Sequence, residues 1–385
     1  MNKEKKKKIC VIASSRATYG YKKKIIKLLN KSKKIDLSVV VTGMHLAREY
    51  GYSISELVKD KVPISYKLDI KIKGDKKKNF TNSLGIEISG LSKVFDELKP
   101  DLTLVTGDRG EMFAAALASA YMGIPIAHIQ AGDVSGHIDG SARHAITKLS
   151  HIHLASCKDS FDRVLKLGEE KWRVFNVGAP QLDDMLNNKF LSKKNIFKKY
   201  NLNLNEKFLI FIQHPVLEEI EESKFQIEES LSAIKKTNLQ TIVIYPNIDS
   251  GNQNIVNSIL KFKSKKIKIY KNIQRNDFIN LLRLSDLIVG NSSCGILEAP
   301  SFKIPALNIG NRQKGRLQAL NVINCGYNQS EIYKKIIYAL NNKTFINKLK
   351  KCKNPYGDGK SSERIVKIIE NISDFNSLFN KRITY

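Results

Sequence analysis

Apolar residues in this chain gather into short runs that are mostly continuous and seldom alternate with polar ones. "KICVIASS", "IDLSVVVTG", "DLTLVTGD", "IPIAHIQAG" and "HIHLASC" form a first series. "KFLIFIQHP", "LQTIVIYPN", "KIKIYK", "DLIVGNSS" and "IPALNIG" form a second. Such Ile-, Val- and Leu-rich runs predict strands buried on both faces of a parallel sheet. Segments with helical spacing, such as "MFAAALASAYMG" and "FINLLRLS", lie between them. The βαβα order implies right-handed crossovers. The predicted fold class is α/β, with two Rossmann-like, doubly wound domains facing each other across a cleft. Ligands would bind there, outside the carboxyl ends of the strands. The series break at "APQLDDMLNNKFLSKKNIFKKYNLNLNEK", a polar helical stretch. This puts the first domain at 1–180 and the second at 181–358, with a helical tail over 359–385 returning to complete the first.

Composition narrows the function. A chain of 385 residues is long enough for two cores. Its formal charge of +28 raises the prospect of a nucleic-acid partner. The lysines are spread along the chain, however, and the basic runs lack interleaved aromatic residues for base stacking. The charge is therefore expected to attract anionic substrates, with no specific nucleic-acid partner. No apolar run reaches the roughly 18 residues of a membrane span, and the N-terminal run is too short for a signal-peptide core. A cytoplasmic protein without membrane attachment is expected. Five scattered cysteines with no CxxC pair predict neither a disulfide framework nor a structural zinc site.

Polar residues collect where strands should end. Asp108, Arg109 and Glu111 follow "DLTLV"; Gln130, Asp133 and Asp139 follow "IPIAHI"; His214 follows "KFLIFIQ". Two readings are open. Asp108 and Asp139 can cap helices starting at Gly110 and near Ser141, or the whole group can form a site. No GxGxxG and no P-loop follow the first strand. "ASSRATYG" stands there instead, and the forked guanidinium of Arg16 suits a phosphate. In "DLIVGNSSCGILEAP" a strand runs through a turn into a helix, whose free amides attract an anion. Ser292 and Ser293 add hydroxyls, unless they serve only as caps. Glu298 can accept from sugar hydroxyls, and Arg312 can clamp a phosphate. His128, His144, His151 and His153 show no metal-ligand spacing and read as core or capping residues.

Several longer stretches together carry a resemblance. "SSRATYG", "VTGMHLAREYG", "GDR", "HIQAGDVSGHIDGSARHAITKLSHIH", "QHPV", "YPNIDSG", "GNSSCGILEAP", "NIGNRQKGR" and "YGDG" occur in the order found in the hydrolysing UDP-N-acetylglucosamine 2-epimerases of the sialic and legionaminic acid routes. The sequence resembles that family over nearly its whole length. The resemblance implies a GT-B-like arrangement, a homodimer or homotetramer, a nucleotide-sugar substrate, and no metal or redox cofactor. It implies that Asp108 and Asp139 are catalytic. It also implies that Arg16, His214, Ser292, Ser293, Glu298 and Arg312 contact the nucleotide diphosphate, and Arg109 joins these expected substrate contacts. The chain departs from the family in three places. The family's "HIEGGE" is "HIQAGD", which puts Gln130 and Asp133 at the two glutamates. "RAD" is "RAT", with Thr18, and the histidine before "GDR" is Thr106.

The implied reaction is an elimination to a glycal followed by hydration, which needs proton transfer on opposite faces of carbon 2. Asp108, Asp133 and Asp139 are the candidates, and Gln130 can orient the N-acetyl group. UDP-N-acetylglucosamine is the default substrate. A UDP- or GDP-linked 2,4-diacetamido-2,4,6-trideoxyglucose is the alternative. The rivals are a GT-B glycosyltransferase, which would need an acceptor, a non-hydrolysing epimerase, and a basic nucleic-acid-binding protein. Because no ligand spacing for a metal occurs and the aspartates are assigned to protons, exhaustive chelation should leave turnover intact. Activity lost to chelator and restored by one divalent ion would refute this.

Overall fold

The computed structural model describes residues 5–47, 52–72, 77–134, 137–246, 251–262 and 264–384, apart from the side chains of 16, 17, 77, 137–139 and 217. The chain divides into two compact units, Met1–Asp184 with Tyr356–Tyr385, and Met185–Pro355.

The first unit holds seven strands: β1 (Lys7–Ala13), β2 (Ile35–Thr42), β3 (Ile64–Leu68), β4 (Leu102–Thr106), β5 (Ile126–Ile129), β6 (Ile152–Ala155) and β7 (Val174–Asn176). They pair in parallel in the order β3-β2-β1-β4-β5-β6-β7. Because side chains alternate along a strand, β1 feeds two cores. Ile9 and Val11 pack with Ile25 and Leu29 of the helix Arg16–Lys31. Cys10 and Ile12 pack with Leu91 and Phe95 of the helix Lys77–Leu98 and Met112 of the helix Gly110–Tyr121. Both faces are covered, which explains the unbroken apolar runs.

The second unit repeats the plan with β8 (Phe208–Ile212), β9 (Gln240–Ile244), β10 (Ile267–Tyr270), β11 (Leu287–Gly290), β12 (Ala306–Ile309) and β13 (Val322–Cys325). The parallel order is β10-β9-β8-β11-β12-β13. Leu209 and Phe211 point into one core, Phe208 and Ile210 into the other. The two α/β sheets are the expected fold class. The stretch expected to join the series forms two short helices, Gln181–Leu186 and Lys193–Lys199. Among the described residues no helix is long and apolar enough to cross a membrane.

The tail is a helix over Ser361–Glu370 followed by a 3-10 turn at Asn376–Phe379. It is tied into the first unit by buried polar contacts. The Asp183 carboxylate accepts from the amides of Ser361 (3.0 Å) and Ser362 (2.5 Å), capping the helix. Ile365 and Ile369 join the core around Ile25 and Leu29. The fully buried Arg173 guanidinium donates to the carbonyls of Leu378 (2.7 Å) and Asn380 (2.8 Å). Beside it, Glu169 accepts from His153 Nε2 (2.9 Å), Lys148 Nζ (2.7 Å) and Lys381 Nζ (2.9 Å). Burial alone would push the Glu169 carboxyl up. The hydrogen bonds from His153, Lys148 and Lys381 reverse this and hold it at about 2. Burial pushes the His153 imidazole down against the pull of Glu169, so His153 serves as a neutral N–H donor.

Glu169→Gln is expected to cost about 3–5 kcal/mol, the range for breaking a buried ion pair, seen as a lower denaturation midpoint. A carboxyl whose folded pKa lies below its unfolded value stabilises fully above the unfolded value. Its contribution is lost as the pH falls from about 4.5 toward about 2. The stability gap between wild type and variant should therefore close through that window; a gap independent of pH there would contradict the assignment.

Candidate active site

In the first unit, the ends of β4 and β5 lie side by side, with Thr106 paired to Ile129. The chain leaves β4 through Gly107 (φ +80) and leaves β5 through Gln130, whose φ of +64 is unusual for a residue with a Cβ. Both turns are pinned from below. Gly107 donates its amide to the Ile129 carbonyl (3.0 Å), and Gln130 donates its amide to that of Leu154 (2.9 Å). His128 Nε2 lies 2.8 Å from the Gly107 carbonyl, and its Nδ1 lies 3.1 Å from the Thr147 hydroxyl. A carbonyl only accepts, so the proton sits on Nε2. Burial drives the His128 pKa down to about 3, which keeps the ring neutral.

Arg143, on the helix His137–Leu149, binds both turns. Its Nη2 pairs with the Asp108 carboxylate, and its Nη1 donates to the Gln130 carbonyl (2.9 Å). Asp108 and Gln130 are thereby brought together. The Gln130 side chain lies over Gly107, where an added Cβ would stand 3.4 Å from its Oε1. Asp133 is fixed separately, accepting from the hydroxyls of Ser156 (3.0 Å) and Ser160 (2.7 Å) past the end of β6.

Helix capping by Asp108 and Asp139 is not what the backbone shows. Arg109 occupies the cap position of the helix Gly110–Tyr121, while Asp108 turns to Arg143. Asp139 falls inside the first turn of the helix His137–Leu149, and its side chain lies outside the described residues. The Arg16 side chain also lies outside them; its backbone opens the helix Arg16–Lys31, capped by Ser15, which accepts from the Thr18 amide.

In the second unit Asn291 is the hub. It follows Gly290, whose φ of +123 and approach to Ile212 leave no room for a Cβ, since one would stand 2.0 Å from the Ile212 carbonyl oxygen. The Asn291 side chain accepts from the His214 amide (2.6 Å) and donates to the His214 carbonyl (2.8 Å), clasping the ends of β8 and β11. Its own carbonyl accepts from Arg312 Nη1 (3.2 Å) and Gln313 Nε2 (2.8 Å). His214 and Arg312 thus meet at one residue. Burial, aided by Arg312, drives His214 to about 3, so it is neutral at physiological pH.

Ser292 and Ser293 follow directly, and neither caps a helix through its side chain. Ser293 makes no capping bond, and Ser292 accepts from the Cys294 thiol (3.0 Å). The expected helix is a single turn, Cys294–Leu297, running into a 3-10 turn at Ala299–Phe302 that contains Pro300. Glu298 is apart from this group, buried against Arg275 (2.9 Å). Among the described residues no group of three His, Cys, Asp or Glu side chains is placed to hold a metal. Sequence reasoning passed over Arg143, Asn291 and Gln313. Arg143 looks like the solvated face of an amphipathic helix, and Asn291 looks like an ordinary turn residue.

In each unit, polar groups gather past the carboxyl ends of parallel strands, where open α/β sheets bind their ligands. Residues 27–370 match the family described as UDP-N-acetylglucosamine 2-epimerase, and the chain belongs to that family. It is 36% identical, over 98% of its own length and all of the relative's, to the UDP-N,N'-diacetylbacillosamine 2-epimerase (hydrolyzing) of Legionella pneumophila. It is 33% identical to the GDP/UDP-N,N'-diacetylbacillosamine 2-epimerase (hydrolyzing) of Campylobacter jejuni, covering 84% of this chain and 85% of the relative. The fold matches the UDP-GlcNAc 2-epimerase of Neisseria meningitidis bound to UDP-GlcNAc with a TM-score of 0.81, at 22% identity, covering 94% of this chain and 99% of that one. The fold is GT-B-like, and the protein is a hydrolysing nucleotide-sugar 2-epimerase.

Asn291→Ala should orphan the His214 amide and carbonyl at about 1–3 kcal/mol each, lowering the unfolding midpoint. Asn291→Asp, which keeps the acceptor alone, should recover part of the loss. Unchanged stability in Asn291→Ala would show that the clasp contributes nothing.

Proposed function

We propose that the protein hydrolyses UDP-N,N'-diacetylbacillosamine, releasing UDP and the free sugar inverted at carbon 2, a 2,4-diacetamido-2,4,6-trideoxymannose. The observation that carries the choice of sugar is the 36% identity to the Legionella pneumophila enzyme named for that substrate, spanning both chains. UDP-N-acetylglucosamine is the second reading, favoured by the description of the matching family.

The chemistry needs a base that takes the proton from carbon 2. The electrons of that C–H bond form the C1=C2 double bond, and the C1–O bond to UDP breaks with its pair leaving on the diphosphate. Water then adds to carbon 1 of the glycal, and an acid returns a proton to carbon 2 from the other face. Asp108 is our candidate for one face. Its position against Arg143 keeps the carboxylate fixed where β4 ends, and preorganised groups need no rearrangement in the transition state. Asp139 is the candidate for the second face. Asp133, with both oxygens engaged by serine hydroxyls, suits orienting the substrate better than exchanging protons. Gln130 donates from its amide to an acetamido oxygen, and an amide suits this better than a carboxylate would. Arg109 and Arg16 add positive charge on the same unit. Arg312, Ser292, Ser293 and His214 receive the leaving diphosphate, with neutral His214 offering an N–H donor, while Glu298, held by Arg275, stays out of the direct contacts.

Incubation of the enzyme with UDP- and GDP-linked amino sugars, without any acceptor, tests the substrate. NMR of the products should show free diacetamido-trideoxymannose and UDP. Free N-acetylmannosamine alone would favour the second reading. No turnover without an acceptor would favour a transferase. In D₂O the released sugar should carry deuterium at carbon 2. Asp108→Asn should lower turnover by about a hundred- to ten-thousandfold, the usual weight of an acid–base group, with UDP affinity by calorimetry little changed.

A further inference from the structure

Beneath the candidate site, the first unit buries charged groups that the proton-transfer scheme leaves unused. Glu111, in the first turn of the helix Gly110–Tyr121, is fully buried, and among the described residues neither carboxylate oxygen has a hydrogen-bond partner. Gly43, just past β2, sits against it; a Cβ there would stand 3.0 Å from Glu111 Oε1. The cation nearest in contact is Arg109, whose Nε lies 3.6 Å from Glu111 Oε2. That Nε is itself buried and makes no hydrogen bond, while Arg109 Nη2 reaches the Met44 sulfur (3.6 Å). Lys22 is fully buried as well. Its Nζ donates to the Ile12 carbonyl (2.5 Å), and the charge of Glu111 supports its protonated form against burial. Glu87, also fully buried, is pushed well above the ordinary carboxylate range by burial and by Glu111.

A buried carboxylate without hydrogen bonds is costly, so a role beyond packing is called for. Arg109 stands immediately after Asp108 and is 43% exposed at its side chain. An exposed arginine loses considerable rotamer entropy when it is fixed. A charge held beneath its Nε steers the guanidinium without occupying its outer N–H groups. We infer that Glu111 is a positioning residue that holds Arg109 ready for the anionic substrate. This rests on the proposed reaction for the role of Arg109, but the contact itself can be tested without turnover.

The test uses the full chain, with Glu111→Gln, Lys22→Met/Glu111→Gln and Arg109→Ala alone and combined with Glu111→Gln. The first readout is the Arg109 Nε–H signal in NMR, assigned by its loss in Arg109→Lys. It should be protected from exchange in the wild type and lose that protection in both Glu111→Gln variants. The second is turnover. Glu111→Gln should lower kcat/KM ten- to a hundredfold, yet by less than twofold in the Arg109→Ala background. Removing both buried charges should restore the thermal midpoint that Glu111→Gln loses, without restoring turnover. An unchanged Arg109 signal in the variants would overturn the inference even if the wild type proves inactive on every sugar offered. Recovery of turnover together with stability in Lys22→Met/Glu111→Gln would also overturn it, since Glu111 would then be only a counter-ion for Lys22. Should Glu111→Gln fail to fold, the double variant carries both readouts.

Discussion

Arg143 ties together two turns of the first unit that backbone hydrogen bonds pin only one at a time. Two neighbouring strands end in turns with positive φ, at Gly107 and Gln130, and a turn bent that way has few ways of being held. The planar guanidinium offers parallel donors, and Arg143 uses them on a carboxylate after β4 and a carbonyl after β5. A lysine at this position would supply charge without the fork. The neutral His128 closes the arrangement from below, and the strain at Gln130 is held in place by its neighbours, as is common at functional sites.

The second unit reaches the same end without charge. Asn291 replaces the fork with an amide that donates and accepts at once, and so can close a ring with the amide and carbonyl of His214. A carboxylate could only accept there. The clasp beside Arg312, Ser292 and Ser293 is thus made of neutral groups.

What the sequence revealed depended on burial. The interior strands β1, β2, β4, β5, β6, β8, β9, β11 and β12 were legible because both faces are covered and every position can be apolar. Three edge strands were not. β3 alternates exposed and half-buried positions, β7 is only Val174–Asn176, and β13 is largely half-buried. An edge strand covered on fewer sides has no continuous run to read. The polar residues at strand ends were legible as a group, because chemistry concentrates there in parallel sheets. Their supports were not, since Arg143 and Asn291 act through contacts between segments far apart in the chain. Pro300, in the 3-10 turn that follows, keeps the helix after Ser293 to a single turn.

The chain leaves the first unit at Asp184 and comes back at Tyr356, and this bears on how the protein is made. Lys7, at the start of β1, donates to the carbonyl of Glu370 in the returning helix. A ribosome delivers residues in order, and domains tend to fold as they emerge. The second unit is continuous and can complete its sheet while the first still lacks Ile365, Ile369 and the carbonyls that Arg173 binds. Until Tyr356–Tyr385 arrives, the face around Ile25 and Leu29 is open to other apolar chains, and the buried arginine has no acceptors from the tail. The unit that begins synthesis is therefore the one that finishes last, and its exposure in that interval is the point where a nascent chain of this architecture is most open to aggregation or chaperone capture.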